Sequence, residues 1–114
     1  ASFERRVLSY QRYQGEKLRR RFNAYSYYRL SQAVDSHNLG RGRGTVEEVL
    51  RGIRAKSLVV AITSDVLFPP ADHDILVDNI PDVEYHLIDS DFGHDGFLVE
   101  HQQLNNILLN FLNK

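Results

Sequence analysis

The apolar positions of this chain change their period part-way along it. In the first part they follow helical spacing. Residues 2 to about 14 and 16 to 22 carry no proline, and Gly15 predicts a break between two helical pieces. A further stretch opens near Ser26, a candidate N-cap, sets Tyr27, Leu30 and Val34 on one face, and should stop before Gly40. Thr45 and Glu48 make the Thr-x-x-Glu pattern of a capping box, in which each side chain satisfies a backbone N–H that the first turn leaves unpaired. Val46, Val49, Leu50 and Ile53 then recur at i, i+3, i+4 and i+7, predicting a short amphipathic helix that ends around Arg54.

From there the pattern turns strand-like. Ser57 to Ile62 reads as a strand, and its Leu58-Val59-Val60-Ala61-Ile62 is continuously apolar and largely β-branched, as expected of a parallel strand covered on both faces by helices. Pro69 and Pro70 suit the first turn of a helix whose buried face is Ile75, Leu76 and Ile80, closed by Pro81. Val83, Tyr85 and Leu87 mark a second strand, from Val83 to Ile88. Strand, helix and strand over about thirty residues form a βαβ unit, whose crossover is right-handed. A last helix begins near Gly96 and buries a stripe of Leu104, Ile107, Leu108, Phe111 and Leu112. The fold class is therefore α/β.

Composition narrows the setting. The chain has 114 residues, 42% of them hydrophobic, with no initiator Met, and the expectation is a fragment of a larger globular protein. No apolar run approaches the ~20 residues of a membrane-spanning helix, and nothing resembles a signal peptide. The reading is of a soluble, cytoplasmic protein with no membrane partner. Absence of cysteine removes disulfides, thiolate metal ligands and a cysteine nucleophile together.

The formal charge of −1 conceals an asymmetry. Residues 1 to 54 hold 12 Lys or Arg against 5 Asp or Glu, whereas residues 55 to 114 hold 2 against 10. Seven aromatic residues, Phe3, Tyr10, Tyr13, Phe22, Tyr25, Tyr27 and Tyr28, crowd the first 28 positions. A basic, aromatic segment could be a nucleic-acid binding module. The simpler reading is helical faces whose rings are core and whose arginines are solvated or paired, with no nucleic-acid partner. Gly40-Arg41-Gly42-Arg43-Gly44 could likewise cradle an anion, but it lacks the Lys-Ser/Thr of a P-loop, and a connector with two exposed arginines explains it as well.

The candidate chemistry sits just after the two strands. Asp65 follows the first and His94 the second, and in a parallel sheet the carboxyl ends of the strands share one edge, where ligands bind. An aspartate on histidine Nδ1–H holds the ring in the tautomer whose Nε2 can accept a proton, so the two types suit a catalytic dyad. Spacing alone leaves Asp65 equally open to a turn or helix-capping role. His94 read without a companion aspartate would be a partly buried histidine in the Gly93 to Gly96 turn. The order Asp then His also fits a triad whose serine lies earlier on a Gly-x-Ser-x-Gly turn, and no such turn occurs here. A metal site built from Asp65, Asp91, His94 and Asp95 is the weaker alternative, because no histidine pair has helical ligand spacing. The reading carries no metal. His37, His73, His86 and His101 are expected at the surface or on strands, without evident partners.

Five segments, in order, resemble one family. They are Tyr13-Gln14-Gly15, Arg21-Phe22-x-Ala24-x-Ser26-Tyr27, Gly40-Arg41-Gly42-Arg43-Gly44, Ser64-Asp65-x-Leu67-Phe68-Pro69-Pro70 and Gly93-His94-Asp95-Gly96-Phe97-Leu98. Together they look like homoserine O-acetyltransferase, over almost the whole chain. The resemblance implies the C-terminal part of an α/β-hydrolase core in residues 55 to 114, preceded by helices of a lid insertion in residues 1 to 54. It makes Asp65 the triad acid, His94 the general base and Asp95 a contact for the homoserine ammonium group. The nucleophile, oxyanion hole and substrate-binding arginine would lie upstream, so this chain alone is expected to be inactive. The implied reaction is ping-pong transfer of an acetyl group from acetyl-CoA to homoserine in methionine biosynthesis. It needs no permanently bound cofactor, and the implied assembly is a homodimer through the lid helices. Relatives using succinyl-CoA or accepting serine, and a plain serine esterase, are the alternatives. Asn23 stands where the family usually has aspartate, and Tyr25 where it usually has asparagine.

Overall fold

The structure, a computed structural model, describes residues 2–114. They form two compact units that divide between Asn38 and Leu39.

The first unit is two helices. Helix α1, Phe3–Arg21, is capped by Ser2, whose hydroxyl accepts from the Arg5 N–H at 3.4 Å. It runs straight through Gly15, which corrects the expectation of two pieces. A glycine costs about 1 kcal/mol against alanine in a helix but keeps its N–H, so a single one leaves the ladder intact. Phe22 then turns extended and Asn23 caps α2, Ala24–Asp35, its Oδ1 accepting from the Ser26 N–H at 2.7 Å. The cap is thus three residues earlier than predicted, and Ser26 lies inside the first turn. Asparagine and aspartate cap equally well, so the Asn23 departure leaves this turn sound. Phe3, Tyr10, Tyr13, Tyr25, Tyr27 and Tyr28, read as core from the sequence, stand exposed. Two helices joined end to end at one short turn enclose too little interior to hold them.

The second unit opens with an ordered turn at Gly40 to Gly44. The Arg43 and Gly44 N–H groups both donate to the Gly40 carbonyl, at 2.9 and 3.1 Å, and Gly42 and Gly44 adopt φ of +71° and +130°, open chiefly to glycine. The turn delivers Thr45 to the start of α3, Val46–Arg51, where both bonds of the capping box form: Glu48 N–H to Thr45 Oγ1 at 3.2 Å, and Thr45 N–H to Glu48 Oε2 at 3.0 Å. The helix stops at Arg51 rather than near Arg54, because the N–H groups of Gly52 and Ile53 turn back to Val49 and Leu50.

Strands β1, Ser57–Ile62, and β2, Val83–Ile88, pair in parallel from Ser57 against Val83 to Ile62 against Ile88. Their connection is a 3-10 turn, Pro70–His73, running into α4, Asp74–Asn79. Ile80 is buried and Leu76 half-buried, whereas Ile75 is exposed, against expectation. Leu76 and Ile80 are one helical repeat apart on the covered row, and Ile75 lies off it. After β2 come a 3-10 turn, Gly93–Asp95, then α5, Gly96–Val99, and α6, His101–Leu112.

Leu50, Val59, Ala61, Ile62, Ile80 and Ile88 form the core. Cover is incomplete on both faces of the sheet: Leu58 and Val60 are only half-buried on one, and Tyr85 and Leu87, the partners of buried Val59 and Ala61, are exposed on the other. Leu104, Ile107 and Phe111 of α6 are half-buried, while Leu108 and Leu112 on the flank of that stripe are exposed. The expectation of strands covered on both faces and a fully buried stripe is corrected to that extent. Two strands and four short helices do not supply enough surface to close both faces. At the amino ends of the strands, Lys56 donates to the Phe111 carbonyl at 3.1 Å and Lys114 pairs with Glu84, holding the end of α6. None of the described helices is long and apolar enough to cross a membrane.

Candidate active site

Parallel pairing puts Ile62 and Ile88 side by side, so the loops that follow them leave the same sheet edge. Those loops carry Asp65 and His94. His94 Nδ1 lies 2.7 Å from Asp65 Oδ2. The other carboxylate oxygen, Oδ1, accepts from the backbone N–H groups of Leu67 and Phe68, each at 3.0 Å. Asp65 is therefore a turn carboxylate and a histidine partner at once, one oxygen for each task. The turn bonds and the contact with His94 that its spacing left open are both made.

Asp65 is only 6% exposed, and its burial by itself would favour the neutral acid. The Phe68 N–H outweighs that burial and, with the His94 hydrogen bond, the Leu67 N–H and the His94 charge, holds the carboxyl below the usual aspartate range. An ionised carboxylate only accepts hydrogen bonds, so the proton between the two residues belongs to Nδ1. In the neutral ring that tautomer puts the lone pair on Nε2, as a base requires. The ring is 43% exposed and sits between Phe68 and Phe97, with centroids 5.2 and 5.5 Å away.

The loop that presents His94 is fastened to the loop that presents Asp65. Ser64 Oγ donates to the Ser90 carbonyl at 2.5 Å and accepts from the Gly93 N–H at 2.8 Å. Thr63 Oγ1 accepts from the Ser90 N–H at 3.1 Å, and Ser90 Oγ accepts from the Phe92 N–H at 3.2 Å. Gly93 takes φ of +61° just before His94. Ser64, Phe68, Gly93 and Phe97 stood in the sequence pattern without a role, and Thr63 and Ser90 were not singled out. The available signal was the placement of hydroxyl residues within two positions of the end of each strand.

Asp95 is next to His94 in the 3-10 turn and exposed. It precedes α5 without capping it through its side chain, and among the described residues it makes no hydrogen bond to Asp65 or His94. Among the described residues no group of three or more His, Asp or Glu is placed to hold a metal ion. Three of the other histidines have partners after all: His73 Nδ1 with the Pro69 carbonyl at 3.1 Å, His86 Nε2 with Glu84 Oε2 at 3.0 Å, and His101 Nδ1 with the Val99 carbonyl at 3.2 Å. All three contacts lie within four residues in sequence, too local for hydrophobic patterning to reveal.

By fold and site this is a portion of an α/β protein that brings a carboxylate and an imidazole together at the carboxyl ends of adjacent parallel strands. No family model matches the chain. Curated relatives do: the homoserine O-acetyltransferase of Cyclobacterium marinum is 44% identical over 106 residues, covering 93% of this chain and 30% of the relative. Those of Chloroherpeton thalassium and Moorella thermoacetica are 45% and 46% identical over 92% and 93% of this chain, and 28% and 29% of their own lengths. The chain belongs to the homoserine O-acetyltransferase family, as its C-terminal portion, and spans about 30% of the length of these relatives.

Proposed function

We propose that this chain supplies the acid and base of an acyltransferase that moves an acetyl group from acetyl-CoA to the hydroxyl of L-homoserine, a step of methionine biosynthesis. The observation that carries the reading is the 2.7 Å contact between His94 Nδ1 and Asp65 Oδ2. In this reading residues 55–114 are the end of an α/β-hydrolase core and residues 1–54 belong to its lid. Helix α3 lies in the same compact unit as the strands.

The chemistry runs in two halves. His94 Nε2 takes the proton of a serine that lies outside this chain, the serine oxygen bonds to the acetyl carbon, and the carbon–sulfur bond breaks as the proton passes to the CoA sulfur. The homoserine hydroxyl then gives its proton to the same nitrogen and takes the acetyl group, and the serine recovers the proton. Asp65 stabilises the imidazolium at each stage. Asp95, exposed beside His94, is read as the partner of the homoserine ammonium group, a charge-assisted bond. The exposed rings of α1 and α2 suit a homodimer formed through the lid helices. A cytoplasmic setting goes with this biosynthetic role. Alone, the chain has a base with no nucleophile to activate, and no activity is expected of it.

The test is acyl transfer by the full-length protein, followed with acetyl-CoA and succinyl-CoA, with and without homoserine or serine. Product formation that depends on homoserine and acetyl-CoA supports the assignment. Release of CoA at the same rate without an acceptor amino acid would instead make the protein an esterase. His94→Ala should abolish both half-reactions, and persistence of acyl-enzyme formation in that variant would remove His94 from its role.

A further inference from the structure

We infer that Ser64 is a positioning residue for the Asp65–His94 pair: its hydroxyl holds the turn that aims His94 at Asp65. This rests on the catalytic reading of the pair. Ser64 is the neighbour of Asp65 in the chain, yet both of its side-chain bonds go to the other loop, 26 and 29 residues away. Its hydroxyl gives its proton to the Ser90 carbonyl and its lone pair to the Gly93 N–H. It therefore grips both ends of the segment that leads from β2 to His94. Gly93 is the residue immediately before His94, so the bond to its N–H acts one residue from the base.

Two other features make that grip consequential. Gly93 has φ of +61°, a conformation that costs glycine little but gives the chain many alternatives when nothing holds it. On the far side of His94, Gly96 lies against Ile62 and Ser90, which fixes only the exit of the turn. Without the Ser64 hydroxyl the entry side loses the acceptor for the Gly93 N–H and one donor to the Ser90 carbonyl. Thr63 Oγ1 lies 3.2 Å from that carbonyl and accepts from the Ser90 N–H, so what it holds is the Ser90 end of the segment. The His94 ring, half-exposed and flanked by the rings of Phe68 and Phe97, then depends on its turn to keep Nδ1 on Asp65.

The experiment compares Ser64→Ala and Ser64→Thr with the unaltered full-length protein in two readouts. The first is the far-downfield proton resonance of His94 Nδ1–H, which reports the bond to Asp65 without requiring turnover. The second is steady-state acyl transfer. Ser64→Ala should broaden or erase the resonance and lower kcat about tenfold or more, the effect of losing its two part-buried hydrogen bonds, with little change in either KM. Ser64→Thr, which keeps the hydroxyl, should restore both. Should Ser64→Ala fail to fold, Ser64→Cys is read the same way, since its thiol fills the space and bonds weakly. An unchanged resonance and kcat in a folded Ser64→Ala protein would overturn the inference. If the unaltered protein shows the resonance but no acyl transfer, the proposed function fails; loss of the resonance in Ser64→Ala still supports the positioning role, and its retention overturns it.

Discussion

Gly96 stands so close to Ile62 that a Cβ added to it would lie 2.9 Å from Ile62 Cγ2 and 3.1 Å from Ser90 Cβ. The start of α5 is pressed onto the last residue of β1, and this contact sets how deep the His94 turn sits at the sheet edge. Ile62 and Ser90 are both buried, so neither can move aside freely.

Gly96→Ala is therefore expected to destabilise the protein by about 1–3 kcal/mol, the usual cost of overpacking a filled site. Its φ of −53° is ordinary, so the cost comes from contact and not from backbone strain. Denaturant unfolding of the full-length variant measures it. A stability equal to that of the unaltered protein would mean that the turn can lift off β1 at no cost.

The acid side of the pair makes a prediction about pH. Asp65 is a stronger acid in the folded chain than an ordinary aspartate, mainly through the Phe68 N–H, so folding favours its ionised form. That contribution is complete above about pH 5, where the unfolded aspartate is almost fully ionised, and it disappears as the pH falls through the lowered folded value. Asp65→Asn should be less stable than the unaltered protein near neutral pH, and the gap should shrink on acidification. A gap that stays constant between pH 6 and pH 2 would show that the ionised carboxylate contributes nothing.

Asp95 is expected to separate the two substrates. Asp95→Ala should raise the KM for homoserine roughly tenfold or more, as loss of a charge-assisted bond would, and leave that for acetyl-CoA nearly unchanged. Only the amino acid brings an ammonium group to the site. Equal effects on both substrates would make Asp95 part of the turn and not a substrate contact.

Much of the backbone was legible in the sequence because its causes are local. The Thr45 and Glu48 capping box depends on a spacing of three, and both bonds are made. The limits of β1 and β2 follow from runs of β-branched and apolar residues bounded by turn formers, and both were read to the residue. The opposite error at Gly15 is also local: a glycine removes a side chain and not a hydrogen bond, so one glycine is a poor helix terminator. At Asn23 and Ser26 two residues competed for one cap, and the position that supplies an extended backbone ahead of α2 took it.

What the sequence by itself determined was the pair of residue types, their order, and the strands that carry them to one edge. That Asp65 would divide its oxygens between its own turn and His94, and that Ser64 would bond to the opposite loop, followed only from the register that sets Ile62 beside Ile88. Such contacts join residues 26 to 29 positions apart, and no local preference encodes them. The same holds for burial. An apolar side chain records that cover would be favourable, but whether cover exists depends on which elements pack nearby: within the second unit, no described element covers Tyr85 or Leu87, and within the first none covers the rings of α1 and α2.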